Sequence, residues 1–264
     1  MDKELELLAQ KIAEKITKTV RKTAVSDFTK LGANVGVGAS GTPTSYIDKL
    51  AEDAAISLIE KSKTPVNLLS EEAGFIDYGG SYTFVLDPVD GTRNAYRGIP
   101  FYAVSIAIGK AKLSDIEYGI VKNIPTGDVY TAAKHKGAFL NNKRISVADC
   151  PSKNMISSLQ LGKNSDPVTQ ALSLKHNVRA LGACSLEMCL VATSALDFYI
   201  VGKEYIRIID LAASTLIVRE AGGVVKTIED EELEMDFSLE KRTSLVAACT
   251  EELVHRLLSQ TQNI

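Results

Sequence analysis

Six residues at the end of a short apolar run constrain this chain most tightly. Tyr82 to Leu86 reads as a strand, and it leads directly into Asp87-Pro88-Val89-Asp90-Gly91-Thr92. Pro88 fixes φ and has no N–H to give, so it turns the chain after Asp87. Asp90 follows three residues later, near enough to converge with Asp87 on one cation. Gly91 and Thr92 then open a helical turn whose free backbone N–H groups form an anion site. One short segment therefore offers both hard oxygen ligands and a phosphate cradle. Mg²⁺ favours this combination of a few carboxylates, several waters and a substrate phosphate. A plain turn with Asp90 as N-cap would use the same residues, so the segment needs partners elsewhere to be a site.

Two such partners stand at the ends of other apolar runs. Leu68-Leu69-Ser70 is followed by Glu71-Glu72, and Ile208-Ile209 by Asp210 at the start of a helix. Either acid alone could be a surface residue or a cap. Three acidic clusters, all placed where apolar runs stop, favour a metal site over three separate turns.

The surrounding pattern predicts layered secondary structure. Leu5, Leu8, Ala9, Ile12, Ile16 and Val20 recur at helical spacing and predict a long first helix. Residues 32–43 read as a glycine-rich loop, and a second helix is expected to start near Thr44 or Ser45. Strands are predicted at Val66–Leu69, Tyr82–Leu86, Phe101–Ile108, Asp115–Val121 and Asp128–Ala132. A polar stretch from Ser146 to Lys153 separates an N-terminal α+β half, 1–147, from a C-terminal α/β half, 148–264. In the second half, helices are predicted at Ser185–Thr193, Leu211–Ala221 and from Thr250, with strands at Ala195–Val201, Gly223–Lys226 and Ser244–Ala248. Helices, then consecutive strands, then alternation favour stacked sheet and helix layers over a simple Rossmann arrangement.

Composition excludes several classes. The net charge of −3 argues against a dedicated nucleic-acid binder. No apolar run reaches the roughly 18 residues that span a bilayer, and the charged start Met1-Asp2-Lys3-Glu4 lacks a leader's apolar core, so a cytoplasmic protein is expected. The four cysteines, Cys150, Cys184, Cys189 and Cys249, contain no C-x-x-C pair, and with three histidines they do not make a zinc pattern. No Gly-x₄-Gly-Lys-Ser/Thr motif is present, which excludes a P-loop NTPase. The Asp-x-x-Asp spacing is one residue longer than the Asp-x-Asp of haloacid dehalogenase phosphatases.

Leu86 to Asn94 resembles the first signature of the inositol monophosphatase family. Ser70-Glu71-Glu72-Ala73-Gly74 is similar to the family's preceding acidic motif. Asp210-Leu211-Ala212-Ala213-Ser214 with Glu220-Ala221-Gly222-Gly223 is similar to its second signature, and Gly182–Thr193 and Asp197–Tyr199 match its helix and strand. Gly41-Thr42-Pro43-Thr44 and Tyr205 to Asp210 resemble the archaeal branch. The resemblance covers nearly the whole chain. It implies a layered αβαβα sandwich and a homodimer. It also implies a Mg²⁺-dependent phosphomonoesterase acting on inositol 1-phosphate, fructose 1,6-bisphosphate or both. A 3′,5′-bisphosphate nucleotidase or NADP phosphatase of the same superfamily, or a weakly catalytic metal-binding protein, are the alternatives.

Roles are implied residue by residue. Glu71, Asp87 and the Val89 carbonyl would hold one ion, Asp87, Asp90 and Asp210 a second, and Glu71 would assist a third. Gly91 and Thr92 would bind phosphate, and Thr92, with Glu71 and Asp90, would orient the attacking water for in-line displacement. Arg207, Lys203 and Cys184 would contact substrate, with Tyr205 beside them. The family's aspartate before the second helix is aligned here with Ser40; Asp48 lies nearby, on the face of that helix, as a substitute that the spacing leaves open.

Overall fold

The computed structural model describes residues 3–26, 30–39, 41–161 and 167–260, leaving aside the side chains of 25, 26, 203 and 204. Ser40 and the Lys203 side chain therefore lie outside the described residues. Helix α1 (Lys3–Ser26) buries Leu5, Leu8, Ala9, Ile12, Ala13, Ile16 and Val20, the stripe its spacing predicts. The glycine-rich stretch is not a simple loop. Strands β1 (Asn34–Val37) and β2 (Pro43–Ser45) pair there as an antiparallel hairpin. All of β1 is exposed, so no alternation of apolar residues could have announced it. Helix α2 (Tyr46–Ser62) follows, with Ser45 as N-cap, and ends at Lys63 in the left-handed conformation.

The next elements are β3 (Asn67–Ser70), β4 (Gly74–Ile76), β5 (Thr83–Asp90), the short α3 (Thr92–Arg97), β6 (Ala103–Gly109), β7 (Tyr118–Asn123), β8 (Val129–Ala133), β9 (Gly137–Leu140) and β10 (Lys143–Ile145). They form an eight-stranded sheet of order β10-β9-β8-β7-β6-β5-β3-β4. Only the β3–β5 pair is parallel. The strand expected from Asp115 starts instead at Tyr118, because Leu113–Asp115 forms a 3₁₀ turn that Asp115 closes by accepting the Ala111 N–H.

A second sheet holds β11 (Ile156–Leu159), β12 (Asn177–Arg179), β13 (Phe198–Ile206), β14 (Val224–Lys226) and β15 (Thr243–Ala248), in the order β12-β11-β13-β15-β14. Helices α4 (Pro167–Ser173), α5 (Cys184–Ala192), α6 (Ile208–Glu220) and α7 (Glu251–Ser259) complete the chain. Strand β13 starts at Phe198, three residues after the expected Ala195. The intervening Asp197 turns aside to accept the N–H groups of Ser152 and Ile156.

These elements stack as an αβαβα sandwich. Helices α1 and α2 cover one face of the large sheet through Leu68, Phe84, Leu86, Val104, Ile106 and Ile120. Helices α5 and α6 cover its other face and pack on the second sheet, with α4 and α7 against β13 and β15. Helix α6 is apolar almost all round, from Ile208 and Ile209 to Val218, as a helix lying between two sheets must be. No helix among the described residues is long and apolar enough to cross a membrane.

Gly119 on β7 sets how closely α6 approaches. A Cβ there would lie 2.8 Å from the Ala213 carbonyl oxygen and 3.1 Å from its Cα. Gly119→Ala is expected to destabilise the protein by about 1–3 kcal/mol through overpacking. That corresponds to roughly 2–4 °C of melting temperature per kcal/mol, measurable by calorimetry. Because α6 carries Asp210, phosphatase activity is expected to fall with it, whereas an exposed control such as Gly36→Ala, which meets no atom within 4 Å, should leave both unchanged.

Candidate active site

A cleft of about 750 Å³ opens where β3, β5, α2, α5 and α6 point toward one another. Each expected site residue with a described side chain lines it: Glu71, Asp87, Val89, Asp90, Gly91, Thr92, Cys184, Arg207 and Asp210. The local reasons differ. Strand β5 does not stop at Asp87 but continues, buried throughout, to Asp90. The turn expected at Pro88 appears instead as an irregularity in the pairing of β5 with β6 between Asp87 and Asp90, where proline has no N–H for the ladder. Asp87 accepts the Val89 N–H at 3.0 Å.

Asp90 reaches across to the other half of the chain. Its carboxylate accepts the N–H groups of Cys184 at 3.1 Å and Ser185 at 2.7 Å, and the Ser185 hydroxyl at 2.5 Å. The N-cap position of α5 is Ala183, which has no capping side chain, so Asp90 caps the helix from a distance. Gly91 has φ 87°, and a Cβ there would meet Ala183 Cβ and the Phe101 carbonyl, so glycine is required. Asn94 holds the same region by donating to the carbonyls of Phe101 at 2.8 Å and Leu181 at 2.7 Å.

Glu71 lies in the tight turn after β3. Glu52 of α2, itself buried, accepts the N–H groups of Glu72 and Ala73 and fixes that turn. Thr44 donates to Glu72, and Thr42 donates to Glu71 at 3.5 Å. Arg207, at the start of α6, pairs with Glu71 through Nη1 and grips Asp210 through Nε at 3.1 Å and Nη2 at 2.9 Å. Its own N–H also donates to Asp210 at 2.8 Å. In this arrangement the Arg207 charge, expected to contact substrate, is paired with the acids. Arg242 also lines the cleft, and the sequence reading missed it because nothing around it forms a motif.

The larger finding concerns Asp48. From the face of α2 it reaches the site: its Oδ1 lies 2.9 Å from Thr92 Oγ1, and its Oδ2 accepts the Ser45 hydroxyl at 2.7 Å. The acid partner of Thr92 therefore comes from the first turn of α2, irrespective of Ser40. The register could have been read from Ser45: an N-cap there puts position 48 on the side of the cap.

Thr92 Oγ1 is also 2.8 Å from the Val89 carbonyl. One hydroxyl proton cannot serve both acceptors. Burial, opposed by the Ser45 and Thr92 contacts, pushes the Asp48 carboxyl up to about 7. Protonated, Asp48 donates to Thr92, which donates to Val89; ionised, Asp48 accepts the threonine hydrogen bond and frees the Val89 carbonyl.

The electrostatics are those of a site short of positive charge. Burial first, and then Asp90, Glu71 and Asp210, hold the Asp87 carboxyl well above the usual carboxylate range. Burial outweighs the Ser185 bonds to push Asp90 up to about 7. Among the described side chains, the Arg207 guanidinium is paired directly with these acids and is kept charged by Asp210 and Glu71 despite its burial. The donor set is all hard oxygen and suits a divalent cation of the Mg²⁺ kind. As they stand, no three of the described acidic, cysteine or histidine side chains close on one point, and Arg207 lies between Glu71 and Asp210.

An acid-lined cleft beside a glycine-opened helical turn, on an αβαβα sandwich, defines a metal-dependent phosphatase. The chain belongs to the inositol monophosphatase family, whose sequence profile matches residues 1–264. It is 36% identical to a fructose-1,6-bisphosphatase/inositol-1-monophosphatase of Methanothermobacter thermautotrophicus, over 97% of this chain and 96% of that one. It is 37% identical to a bifunctional NADP phosphatase/NAD kinase of Methanococcus maripaludis, over 95% of this chain and 48% of that one. Among solved structures, a Pyrococcus horikoshii protein described as similar to inositol-1 monophosphatase superposes with a TM-score of 0.85 at 30% identity, covering 98% of each chain.

A raised carboxylate binds its proton more tightly folded than unfolded. Asp48 therefore stabilises the fold most below its unfolded value near 4, and that contribution is lost as pH rises through about 7. In chelator, the melting temperature of the parent is expected to fall between pH 4 and 7. Asp48→Asn should flatten that slope by an amount corresponding to at most roughly 4 kcal/mol across the range. Parallel slopes for the two proteins would refute the assignment.

Proposed function

We propose that this protein hydrolyses small sugar or inositol phosphates, inositol 1-phosphate and fructose 1,6-bisphosphate among them, with two to three Mg²⁺ ions per site. The observation that carries this is the placement of Glu71, Asp87, Asp90 and Asp210 around one cleft with Gly91 and Thr92 opening a helical turn beside them. The halves 1–147 and 148–264 act as one catalytic unit, since the first supplies Glu71, Asp87 and Asp90 and the second Asp210.

Glu71, Asp87, the Val89 carbonyl, Asp90 and Asp210 would hold the ions, which when bound supply the charge that activates water and neutralises the phosphoryl oxygens. The chain's own groups do the positioning. The N–H groups at Gly91 and Thr92 receive phosphate oxygens. Thr92, with its proton drawn to ionised Asp48, turns a lone pair toward the attacking water and orients it in line. Asp90, tied to the start of α5, keeps the two halves in register around the ester. Cys184 lines the wall beside it. The family resemblance supports a homodimer.

A substrate with a second phosphate, fructose 1,6-bisphosphate, adenosine 3′,5′-bisphosphate or NADP, is supported by one observation. Tyr205 and Arg242 line the same cleft as the acids, a charge for a second phosphate. A Mg²⁺ panel of inositol 1-phosphate, fructose 1,6-bisphosphate, adenosine 3′,5′-bisphosphate and NADP separates these. Arg242→Ala is expected to raise KM for the bisphosphorylated substrates by roughly ten-fold while leaving inositol 1-phosphate little changed. Asp87→Asn and Asp210→Asn should fold yet lose roughly 10³-fold in kcat; substantial Mg²⁺-dependent turnover by Asp87→Asn would overturn the mechanism.

A further inference from the structure

Arg207 has more bonds to the acids than a substrate-binding arginine needs. Its side chain is 16% exposed, and the carboxylates of Glu71 and Asp210 are 18% and 15% exposed. The fork grips both oxygens of Asp210, through Nε to Oδ2 and Nη2 to Oδ1, while Nη1 pairs with Glu71 Oε1. The three residues come from two distant parts of the chain, the turn after β3 and the first turn of α6. Glu71 Oε1 has only the Thr42 hydroxyl at 3.5 Å as a further partner among the contacts described. The lone pairs that face the guanidinium are the ones these acids would turn to a cation.

A small divalent ion takes carboxylate oxygens at about 2.0–2.1 Å in a near-octahedral shell, and a planar guanidinium cannot stay bidentate on the same oxygens. We propose that Arg207 is the built-in counter-ion of Glu71 and Asp210, and that a divalent ion gains these two ligands by displacing its guanidinium. This rests on the phosphatase reading for the identity of the ligands. The chain is arranged for such an exchange. The backbone of Arg207 stays anchored, because its N–H bond to Asp210 and its carbonyl bond from the Asp210 N–H close the start of α6 without the side chain. Only the side chain has to swing. Once released it remains on the wall of the same cleft, where two oxygens of a phosphate ester can meet its fork. Arg207 thus acts as a positioning residue that trades two acids for the substrate's phosphate as the site loads.

Mg²⁺ titrations of chelator-treated protein by calorimetry, for the parent, Arg207→Gln and Arg207→Lys, test this. Lysine keeps the charge and loses the fork. Displacement requires both variants to bind Mg²⁺ more tightly than the parent, by roughly ten-fold, and to melt below it in chelator while gaining more on Mg²⁺ addition. If only Arg207→Gln tightens and Arg207→Lys matches the parent, Arg207 acts through its charge alone and displacement is overturned. Unchanged or weaker binding in both overturns it as well. The Arg207 Nε–H resonance, assigned by its absence in Arg207→Gln, gives a direct readout. It should be protected from exchange in chelator and lose that protection on Mg²⁺ addition. Mg²⁺ binding that Asp87→Asn abolishes, together with an unmoved Nε–H, sinks displacement and spares the phosphatase reading. Binding unaffected by Asp87→Asn sinks both.

Discussion

Glu71, Asp87, Asp90 and Asp210 repel one another, and gathering them out of water is the demand that shapes this molecule. Isolated buried carboxylates are costly and take up protons instead. Here the repulsion is met in three ways. Asp90 is tied to the positive end of α5, Asp210 and Glu71 share the Arg207 guanidinium, and Asp87 is fixed by a buried strand that cannot shift without breaking the ladder on both sides. Two of these ties, Asp90 to Ser185 and Arg207 to Glu71, cross between elements far apart in sequence. The acids therefore bind the fold together only so long as something positive stands among them, and that requirement is also what makes the cleft receptive to metal and phosphate.

Thr92 shows how finely the same charge balance is set. Its hydroxyl lies between an acid and a carbonyl, and which of them it serves depends on whether Asp48 carries a proton. An acid buried at the first turn of α2 thus governs a group on α3 that lines the cleft. Proton, metal and substrate are linked through one short chain of contacts.

Much of this was legible in the residues. The helical spacing from Leu5 to Val20 marks α1 because that helix has one wet face and one dry one. The apolar runs before Glu71, Asp87 and Asp210 mark strands or helix starts for the same reason, and the acids that follow them do meet at one cleft. What escaped has physical causes too. The strand Asn34–Val37 is exposed on both sides, so only backbone pairing defines it. Short edge strands such as Lys143–Ile145 and Asn177–Arg179 bury too little to leave a pattern. The role of Asp48 stayed open because the loop before α2 was aligned by position, when the N-cap Ser45 fixes which way the first turn faces. Arg242 and the grip of Arg207 on two acids depend on tertiary approach alone, which no local spacing encodes.

Helix α6 has almost no wet face. It lies between two sheets with Gly119 against one side and Met188, on α5, bonded to Ser214 on another. A helix held in this way can neither roll nor slide by itself. Its first turn carries Asp210, so the two sheets share a single spindle that ends in the cleft. Sequence drift in the family should then be distributed unevenly. The cleft lining at Tyr205 and Arg242 is free to diverge toward new phosphate esters, while residues 208–218 have few neutral neighbours in sequence space. New substrate ranges are expected to arise around the edge of this scaffold, with its axle left as it is.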